Sequence, residues 1–529
     1  MFFYFRERCC KLFAMRICLI HPPRLMKPMS ATMKPSPPLG LAFIAAALKR
    51  EGHQVEVIDA LAEAPNQYVQ FKEDIVQNGL TEVEIAQRIH PDTKVIGLSL
   101  MFSGNWLHNR ILIDYLGKRF PDAVIMAGGE HLTACPEFCI SQTKHLDVCI
   151  CGEGEEAVVE VVRAIEQGTG FAAICGIVYR NEQNQSVRTE RRARIKAIED
   201  IAWPAWELFP LDAYKDNGII YGVDRDVYSV PLSATRGCPY SCTFCSSPQM
   251  WTTRYYMRSV EDVANEMEYF YKIYNIRNFD FFDLTAIIKK DWIIRFVKEI
   301  MKRELPITWQ IPAGTRSEAI DREVAHYLYA SGCRNITYAP ESGSVETLKL
   351  IKKKVKLPAM LQSIKYSSQE KMNIKLNVII GFPGEKHRNI WQTMVFLVQA
   401  SWYGANDMAP SVFSPYPGSE LFNKLSEEGK VNMYDDLFFY QIIYVDTFFN
   451  SSFYNNEINK NILRFYQIMY LAIFYSSNFI FHPTRLFKTL KNLLTSNYDS
   501  RAEMALGELM KRSKIKVLQR SQVPAESLA

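Results

Sequence analysis

The 529-residue chain is too long for a single hydrophobic core, so we expect two to four domains. Its 48% hydrophobic and 22% charged residues are typical of a folded globular protein. A formal net charge of +5 is small for this length, so we expect no nucleic-acid partner. The 12 cysteines are unevenly spread and no secretory signal precedes them, which favours a reducing cytoplasm over a disulfide framework.

Residues 1–14 are an aromatic and basic extension that includes Cys9 and Cys10. The segment is too short to span a membrane. A strand-like pattern begins only at Met15, which leaves open whether the extension belongs to the native protein or follows from a misassigned start codon. An extension that touches a membrane is the less favoured interpretation.

Residues 15–168 alternate between strand-like and helical segments. The predicted strands are Met15 to Pro23 (ending in a loop), Val55 to Asp59, Val95 to Leu100, Val124 to Gly129 and Val148 to Gly152. The helical segments between them include Leu39 to Arg50, Ile111 to Phe120 and Glu155 to Glu166. This alternation predicts a parallel sheet with both faces covered, and such sheets bind ligands at the carboxyl ends of their strands.

Loops at four of these strand ends carry residues expected at a ligand site. They are His21-Pro22-Pro23, Ser99 to Phe102, Gly128-Gly129-Glu130-His131 and Gly152-Glu153-Gly154-Glu155. Glycines at these places let a ligand approach the backbone closely. One such loop is weak evidence by itself, because two glycines after a strand often form only a turn.

Residues 169–226 connect the two halves of the chain. The pattern from Phe171 to Arg191 predicts a small hairpin with a polar tip from Asn181 to Gln185. The stretch from Ile198 to Pro210 holds two tryptophans and two prolines, which predicts a packed, extended linker. We therefore expect a domain boundary within this linker.

A second alternation of strands and helices fills residues 227–430. The predicted strands are Tyr228 to Ala234, Asn278 to Phe282, Thr308 to Ile311, Asn335 to Ala339, Lys375 to Ile380 and Ala409 to Phe413. The helices between them include Ser259 to Tyr274, Asp291 to Lys302, Asp321 to Ser331 and Ala359 to Glu370. Six such units predict an incomplete version of the eight-stranded TIM-type barrel, whose active face is the carboxyl end of the strands.

The loop after the first barrel strand holds Cys238, Cys242 and Cys245 at Cys-x3-Cys-x2-Cys spacing. Thiolates suit either zinc or an iron–sulfur cluster. A structural zinc site usually has two pairs of ligands, but no second pair follows and Cys333 stands alone. A four-iron cluster held by three thiolates would leave one iron open to a ligand that is not protein. The spacing favours the cluster, and zinc stays the alternative.

Residues 431–529 differ in composition, with runs dense in Phe, Tyr and Ile at Leu437 to Phe449 and Phe465 to Phe481. The second run has 17 residues without a formal charge. Because it is short for a membrane span and contains polar residues, we expect a buried or interfacial helix in a helical C-terminal region. Arg485, Lys488 and Lys491 follow it, and they suit an anionic membrane surface and, equally, solvated helix ends.

The cysteine loop resembles the signature of radical S-adenosylmethionine (SAM) enzymes, and three later segments resemble the segments with which that family contacts SAM. These are Glu341-Ser342-Gly343-Ser344, Ile380 to Glu385 and the sixth-strand loop Ser414 to Glu420. All of them appear in the family's order. The resemblance implies a [4Fe-4S] cluster on Cys238, Cys242 and Cys245, and SAM contacts from Phe244, Glu341, Ser342, Gly381 and Pro383.

The first domain resembles the Rossmann-like cobalamin-binding domain that precedes the radical SAM barrel in one large subgroup. The linker Ala202 to Leu208 fits the same subgroup, and the resemblance of the two domains together covers about Met15 to Leu425. It implies cobalamin contacts from Pro22, Ser99, Gly128, Gly129, His131, Gly152 and Glu153. The Asp-x-His-x-x-Gly motif that supplies a histidine to cobalt in other cobalamin proteins is absent. Many members of the subgroup lack this motif too, and some related domains bind no cobalamin.

The resemblance implies an enzyme that cleaves SAM reductively at the cluster and uses the 5′-deoxyadenosyl radical to modify an unactivated carbon. With cobalamin as a second cofactor, the implied activity is that of a C-methyltransferase. An anaerobic oxidative cyclase of the magnesium-protoporphyrin ester type has the same two domains and is the first alternative. A cobalamin or iron–sulfur sensor without turnover is the second. A tRNA methylthiotransferase is disfavoured, because it would need a second cysteine triplet.

The aromatic C-terminal region suggests a hydrophobic small-molecule substrate, such as a polyprenyl-derived lipid or a porphyrin. The same aromatic residues would equally serve to pack the open side of the barrel. The resemblance also implies an electron donor such as flavodoxin or ferredoxin. We expect a cytoplasmic enzyme, with peripheral membrane contact through the C-terminal region as a further option.

Overall fold

The computed structural model describes residues 14–27, 36–216, 227–286, 288–315, 319–443 and 453–496, and positions 498, 500, 502, 503, 506, 507, 517 and 518. Two features of the sequence fall partly outside these ranges. The N-terminal extension lies outside them apart from Ala14, and so does the part of the aromatic run that follows Ile443.

The N-terminal part of the chain folds around one large sheet and one small one. Its strands are β1 (Arg16–His21), β2 (Arg24–Met26), β3 (Gln54–Asp59), β4 (Tyr68–Lys72), β5 (Ile75–Asn78), β6 (Val95–Ser99), β7 (Val124–Gly128), β8 (Val148–Ile150), β9 (Ile177–Arg180) and β10 (Ser186–Arg188). Its helices are α1 (Leu39–Arg50), α2 (Ala60–Glu63), α3 (Glu82–Arg88), α4 (Trp106–Arg119), α5 (Glu130–Ala134), α6 (Pro136–Gln142) and α7 (Glu155–Gln167). The large sheet has the order β10-β9-β8-β7-β6-β1-β3, with β3, β1, β6, β7 and β8 parallel.

Alternate residues of the central strands enter two different cores. Ile17 and Leu19 of β1 belong to the core that includes α1 and α7, whereas Cys18 and Ile20 belong to the core that includes α3 and α4 on the other face. Because helices cover both faces, a ligand has access to the sheet mainly at its carboxyl edge. The predicted doubly covered parallel sheet is confirmed.

The sequence did not predict the hairpin of β4 and β5, which pairs through β5 with β2. Its buried positions include amides, which break the apolar alternation that marks a strand. Gln77 donates to the carbonyl of Leu80 over 2.9 Å, and Asn78 donates to the carbonyl of Pro65 over 2.9 Å. Tertiary hydrogen bonds thus satisfy these amides, and a pattern of apolar residues does not reveal them.

The segment between the two halves packs against both of them. The predicted hairpin is present as β9 and β10, and the linker continues into α8 (Leu211–Asp216). The backbone N–H of Ala205 donates to the carbonyl of Ala42 on α1, and Trp203 Nε1 donates to Asp262 in the second half over 3.1 Å. Trp206 is fully buried. The linker therefore fixes the two halves to each other, while the domain bounds given above stay a prediction.

The second half of the chain repeats strand–helix units. Its strands are β11 (Tyr228–Leu232), β12 (Thr235–Arg236), β13 (Tyr256–Met257), β14 (Ile276–Phe281), β15 (Thr308–Thr315), β16 (Cys333–Glu341), β17 (Asn373–Ile380) and β18 (Asp407–Val412). Its helices are α9 (Ser247–Trp251), α10 (Val260–Tyr274), α11 (Lys290–Lys302), α12 (Arg322–Ala330), α13 (Val345–Leu350), α14 (Leu357–Gln369), α15 (His387–Trp402) and α16 (Glu420–Glu427).

Six of these strands form a parallel sheet in chain order, β11-β14-β15-β16-β17-β18. Within the described ranges, the outer strands β11 and β18 do not pair, so the barrel is open. Phe281 and Trp309 face the helices, where both rings contact Phe296 of α11. The predicted partial barrel of six βα units is confirmed.

The opposite, concave face of this sheet carries a buried polar network. Asp280 accepts hydrogen bonds from Gln310 over 2.6 Å and from Asn278 over 2.9 Å, and Asn335 donates to Gln310 over 2.8 Å. Burial raises the pKa of Asp280 in spite of these bonds. Because these groups satisfy one another, they form a buried polar floor on the inner face of the barrel.

The C-terminal region closes the β18 side of the barrel. It contains α17 (Asp436–Ile443), α18 (Lys460–Phe481), α19 (Pro483–Thr495) and β19 (Val517–Leu518), which pairs with β4. Tyr470 and Phe474 of α18 are fully buried, and Tyr470 donates to the carbonyl of Ile390 on α15. The predicted helical C-terminal region is confirmed. Among the helices that the structure describes, none has the length and apolar character needed to cross a membrane.

Replacing Gly343 by alanine should destabilise the barrel. An added Cβ would lie 2.5 Å from Phe396 Cβ and 2.7 Å from Thr393 Cα, both on α15. Overpacking of this kind costs about 1–3 kcal/mol, which urea denaturation of the two proteins would measure. Gly40→Ala is the matched control, because open space surrounds that Cβ. Equal losses of stability in the two variants would contradict the steric account.

Candidate functional site

The three cysteines lie in the loop between β12 and α9, at the carboxyl end of β11. All three side chains are partly exposed, and none is bonded to another cysteine. The backbone N–H of Cys245 donates to the carbonyl of Cys242, and Thr285 Oγ1 donates to Cys238 Sγ over 3.4 Å. The loop thus presents three thiols on the open side of the barrel.

Neighbouring segments fix the shape of this loop. Thr243 donates its N–H to the carbonyl of Ile351 and accepts the N–H of Leu421 at its own carbonyl. Gly237 has a φ of +93°, and a Cβ there would lie 2.1 Å from the carbonyl oxygen of Arg254. Only glycine fits at this position, so the backbone before Cys238 is constrained on both sides.

The three thiols fit a multinuclear cluster better than a single ion. In the described part of the chain, three ligand atoms within 4.8 Å of one another are found elsewhere, at His131, Cys135 and Cys139, and not in this loop. A cluster, by contrast, binds each thiolate to a different iron. Burial raises the pKa of Cys242 to about 11 and raises that of Cys245, so a metal must replace the protons. This donor set fits a [4Fe-4S] cluster with three protein ligands.

Two of the predicted SAM contacts lie at the cysteine loop, since Phe244 is part of the loop and Glu341 is close to Cys242. The ring of Phe244 lies 5.6 Å from that of Phe382. Glu341 ends β16 with a left-handed φ of +60°, which is unusual for a residue with a side chain. Its Oε1 accepts a hydrogen bond from Lys353 Nζ over 2.9 Å. The strained backbone aims the Glu341 carboxylate, and Lys353 holds it there.

Ser342 has a structural role in addition to the predicted one. Its Oγ lies 2.9 Å from Thr393 Oγ1 and accepts the N–H of Ser344 over 3.1 Å. Because both contacts are buried, they fix the turn that follows Glu341. The hydroxyl of Ser342 is therefore already engaged within the protein.

Gly381 and Pro383, the remaining predicted SAM contacts, lie in the turn after β17. Gly381 has a φ of +83°, and its N–H donates to Glu385 Oε2 over 2.7 Å. Burial raises the pKa of Glu385 to about 7. Asn455 of the C-terminal region donates to the carbonyl of Phe382 over 2.7 Å. The turn is thus braced from both sides, with Pro383 partly exposed.

The predicted cobalamin edge contains glycines that approach other backbone closely. Gly129 has a φ of +125°, and a Cβ there would lie 2.6 Å from the carbonyl oxygen of Leu100. Gly128 accepts the N–H of Leu100, and Gly152 lies beside the carbonyl of Met250 on α9. Two further members of the predicted set at this edge are Ser99, which is partly exposed, and Pro22, which is buried.

Two apolar side chains are exposed beside these glycines. Met101 and Phe102 follow β6 and are 43% and 69% exposed. Large apolar side chains that lie together in solvent mark a binding surface more often than a free surface. The carboxyl edge of the first sheet therefore offers partly exposed glycine backbone and an apolar rim, which fit a large, partly apolar cofactor such as cobalamin.

The side chain of His131 points away from this edge. It is 1% exposed, and its ring lies 5.3 Å from Trp106 and 6.1 Å from Phe439. Its Nδ1 lies 2.9 Å from Ser103 Oγ. Only the backbone of His131 remains available to the predicted cobalamin surface.

Glu153 holds the two halves together through buried ion pairs. It accepts hydrogen bonds from Arg194 over 2.6 Å and from Arg236 over 3.2 Å, and Arg236 also donates to Glu155 over 2.6 Å. Burial opposes the charges, but the pairing raises the pKa of Arg236 and lowers that of Glu155. Arg236 directly precedes the constrained Gly237. The network therefore ties the edge of the first sheet to the cysteine loop.

A second contact between the halves lies next to Cys245. Ser246 donates to Glu130 at the start of α5, and Thr133 of the same helix approaches Met250 of α9. Burial raises the pKa of Glu130, although the bond to Ser246 lowers it.

Sequence reasoning did not assign a role to Glu130, Arg236, Arg194 or Lys353. Arg236 and Glu130 stood beside predicted site residues, but their partners are distant in sequence.

Glu153→Gln should weaken the association of the two halves. The substitution leaves two buried arginines short of a countercharge, and breaking a buried pair costs about 3–5 kcal/mol. We expect a lower urea midpoint and less iron retained per chain. Glu156→Gln is the control, because that side chain is 55% exposed in its pair with Arg192 and such pairs contribute about 0–1 kcal/mol. A Glu153→Gln protein as stable as this control would contradict the proposed link.

The two halves match two known families. Residues 33–162 match the B12 binding domain, and residues 232–397 match the Radical SAM superfamily. An uncharacterized methyltransferase of Pyrococcus horikoshii is 28% identical over 77% of this chain and 82% of its own length. The cytidylyl-2-hydroxyethylphosphonate methyltransferase of Streptomyces wedmorensis is 27% identical, over 76% of this chain and 80% of the relative. The anaerobic magnesium-protoporphyrin IX monomethyl ester cyclase of Rubrivivax gelatinosus is 25% identical, over 75% of this chain and 68% of the relative.

A solved structure shares the same arrangement of domains. It is the radical SAM methyltransferase TsrM of Kitasatospora setae, a structure with cobalamin and a [4Fe-4S] cluster bound. The TM-score is 0.59 at 16% identity, and the match covers 79% of this chain and 78% of TsrM. At this identity the likeness establishes the fold that both chains share.

Proposed function

This chain belongs to the radical SAM enzymes that carry a B12-binding domain ahead of the barrel, and on that basis we propose that it methylates a carbon atom of a small-molecule substrate. Its cofactors are a [4Fe-4S] cluster, SAM and cobalamin. Two of the relatives reported above are methyltransferases by name, which supports methyl transfer as the reaction.

The observation that carries this proposal is that the two edges proposed to bind ligands lie against each other. Arg236 beside the cysteine loop pairs with Glu153 and Glu155 at the carboxyl edge of the first sheet. Ser246, next to Cys245, contacts Glu130 at the same edge. A ligand on the glycine-rich edge and a ligand on the cysteine loop would therefore face a common space, as transfer of a group between them requires.

When bound, the cluster supplies the electron that cleaves SAM, and cobalamin supplies the methyl group. The protein's own part is to hold and orient these groups. Cys238, Cys242 and Cys245 provide the thiolates, and Glu341 offers a carboxylate that can accept hydrogen bonds from ribose hydroxyls. The Phe244 ring, packed on Phe382, offers a flat surface for the adenine.

We further propose that the substrate has an apolar surface. Phe282 and Leu284 follow β14 and are 38% and 37% exposed, and Tyr416 follows β18 and is 39% exposed. Together with Phe102 they supply apolar side chains at the open side of the barrel. The aromatic side chains of α18, in contrast, are largely used in packing, as with Tyr470 and Phe474. The support for an apolar substrate therefore comes from the loops after the strands.

Cys242→Ala should abolish SAM cleavage, because two thiolates do not hold the cluster. We expect the loss of the iron–sulfur absorbance and at least a 100-fold drop in 5′-deoxyadenosine released under strong reduction in the absence of oxygen. Cys175→Ser, at a partly exposed cysteine outside the loop, is the control and should retain both properties. Release of 5′-deoxyadenosine by the Cys242→Ala protein would overturn the assignment. A wild-type protein with a full cluster that never cleaves SAM would favour a sensor.

Glu341→Ala should weaken SAM binding by about 10-fold or more while leaving the cluster intact, because a charge-assisted hydrogen bond contributes about 1.5–3 kcal/mol. Equilibrium binding of SAM to the reconstituted protein measures this change, and the cluster absorbance monitors the fold of the loop. The control is Glu346→Ala, whose carboxylate pairs with Arg388 on the surface. A variant that lost its cluster would show that Glu341 has a structural role instead.

Oxidative cyclisation is the second candidate, because a cyclase of this type is 25% identical over 75% of the chain. The two reactions change the mass of the product differently, since a methyl group replaces hydrogen in one and a carbonyl oxygen is inserted in the other. Mass spectrometry of a product formed from deuterated methyl-SAM separates them. A product that retains the deuterated methyl group supports methylation, and one that gains only oxygen supports the cyclase.

A flavodoxin or ferredoxin is the electron donor that we propose, in a reducing cytoplasm. The ten cysteines that the structure describes are all free thiols, which suits such a compartment. Reduced flavodoxin should support 5′-deoxyadenosine release in place of a chemical reductant. If reduced flavodoxin released no more 5′-deoxyadenosine than a control reaction that lacks flavodoxin, this choice of donor would be contradicted.

We also propose contact of α19 with an anionic membrane surface. Phe487, Leu490 and Leu494 form an apolar stripe on this helix that is 71%, 51% and 83% exposed, with Lys488 and Lys491 beside it. Apolar and basic side chains in this arrangement suit the surface of an anionic bilayer. In a flotation experiment, the protein should float with vesicles that contain phosphatidylglycerol and not with vesicles of phosphatidylcholine alone. Equal recovery with both kinds of vesicle would exclude an electrostatic contribution to membrane binding.

A further inference from the structure

A compact group of metal-binding side chains lies in the first domain, apart from the cysteine loop. His131 is on α5, Cys139 is on α6, and Cys135 lies between the two helices. The three residues are spaced four apart in sequence and are 1%, 8% and 0% exposed in the order His131, Cys135 and Cys139. The methylation reaction proposed above uses none of these side chains.

The spacing of their ligand atoms matches the edges of a single coordination site. His131 Nε2 lies 3.5 Å from Cys139 Sγ and 3.9 Å from Cys135 Sγ, and the two sulfurs are 4.0 Å apart. A single point in this triangle lies about 2.2 Å from all three atoms, close to the zinc–sulfur distance of about 2.3 Å and the zinc–nitrogen distance of about 2.0 Å. We propose that His131, Cys135 and Cys139 provide three of the four ligands of a Zn²⁺ ion, and that a neutral water molecule completes its tetrahedral coordination.

The surroundings of His131 favour metal binding through Nε2. Its Nδ1 lies 2.9 Å from Ser103 Oγ and 3.6 Å from Cys135 Sγ. A hydrogen bond donated from Nδ1 to the Ser103 oxygen leaves the lone pair of Nε2, which lies 3.5 Å from Cys139 Sγ, available for a metal. Metal-bound histidines are commonly held in this way through their second nitrogen. The two sulfurs are about twice as far apart as in a disulfide, so the pair is not a cystine here.

Charge balance favours zinc over a monovalent ion. The rings of Trp106 and Phe439 contact the imidazole, and Phe138 packs on Trp106 behind it. A net charge in such apolar surroundings is costly. Two thiolates and a neutral imidazole make an uncharged site with Zn²⁺, whereas a monovalent ion would leave one negative charge.

The position of the group indicates what the ion would do. It would link α5 to α6, and α5 begins at Glu130, which contacts Ser246 beside Cys245. Phe439 of α17 packs on the same imidazole. Zinc would therefore stiffen the first-domain edge against which the cysteine loop rests, without taking part in electron or methyl transfer.

Metal analysis of the whole protein tests this site directly. The wild-type chain, produced with zinc in the medium and purified over a chelating resin, should retain about one zinc per chain by mass spectrometry. Cys139→Ser should retain less than a tenth of that amount. Cys242→Ala is the matched control, since it should lose iron but keep the zinc. Zinc that follows Cys242 rather than Cys139, or a wild-type protein without zinc, would overturn the proposal.

X-ray absorption at the zinc edge of the wild-type protein provides a test that does not depend on whether a variant folds. It should show two sulfur neighbours at about 2.3 Å and at least one nitrogen neighbour at about 2.0 Å. Three or four sulfur neighbours would place the zinc in the cysteine loop and refute the site. A Cys135–Cys139 disulfide found by peptide mapping of the anaerobically purified protein would refute it as well.

Discussion

The buried ion pairs of Arg236 determine how the two halves of this molecule work together. Arg236 lies directly before the cysteine loop, yet its partners Glu153 and Glu155 belong to the first domain. A buried arginine without its carboxylates would be strongly unfavourable, so these pairs favour the arrangement in which the loop and the first domain are docked. The orientation of the candidate cluster site is thus coupled to the edge that is proposed to bind cobalamin.

Near this ion-pair network, two loops on the open side of the barrel are each held by more than one neighbouring segment. The turn at Gly381 is fixed by Glu385 from inside and by Asn455 from the C-terminal region. The backbone of Thr243 is bonded to the segments at Ile351 and Leu421. Such preorganisation suits radical chemistry, in which reacting groups must be placed and water excluded before the reaction starts. The polar floor around Asp280 supports this arrangement from below.

The strands and the order of the loops could be predicted from the sequence because they depend on local patterns. Apolar runs such as Val95 to Ser99 and the helix Leu39–Arg50 were predicted almost to the residue. The β4–β5 hairpin was missed, since its buried amides Gln77 and Asn78 are satisfied only by tertiary hydrogen bonds. Contacts between residues distant in sequence limited the prediction of the site in the same way. The spacing of the three cysteines could be recognised in the sequence, whereas the pairing of Arg236 with Glu153 joins residues 83 positions apart.

The residue types at the strand ends also did not predict the direction in which their side chains point. His131 and Glu153 follow strand ends, and their neighbours resemble a cobalamin-binding edge. In the structure, the imidazole of His131 faces Cys135 and Cys139, and the carboxylate of Glu153 is occupied by two arginines. What remains exposed at the edge is glycine backbone with Met101 and Phe102. Both side chains thus stabilise the edge itself, and the backbone and apolar rim form the candidate binding surface.

The most direct test of the central claim is cofactor analysis after anaerobic purification from cells supplied with cobalamin. The account predicts about one cobalamin per chain together with about four irons, because both edges exist in the same folded unit. A protein that carries its full iron content and retains no cobalamin, even when cobalamin is added in excess, would contradict it.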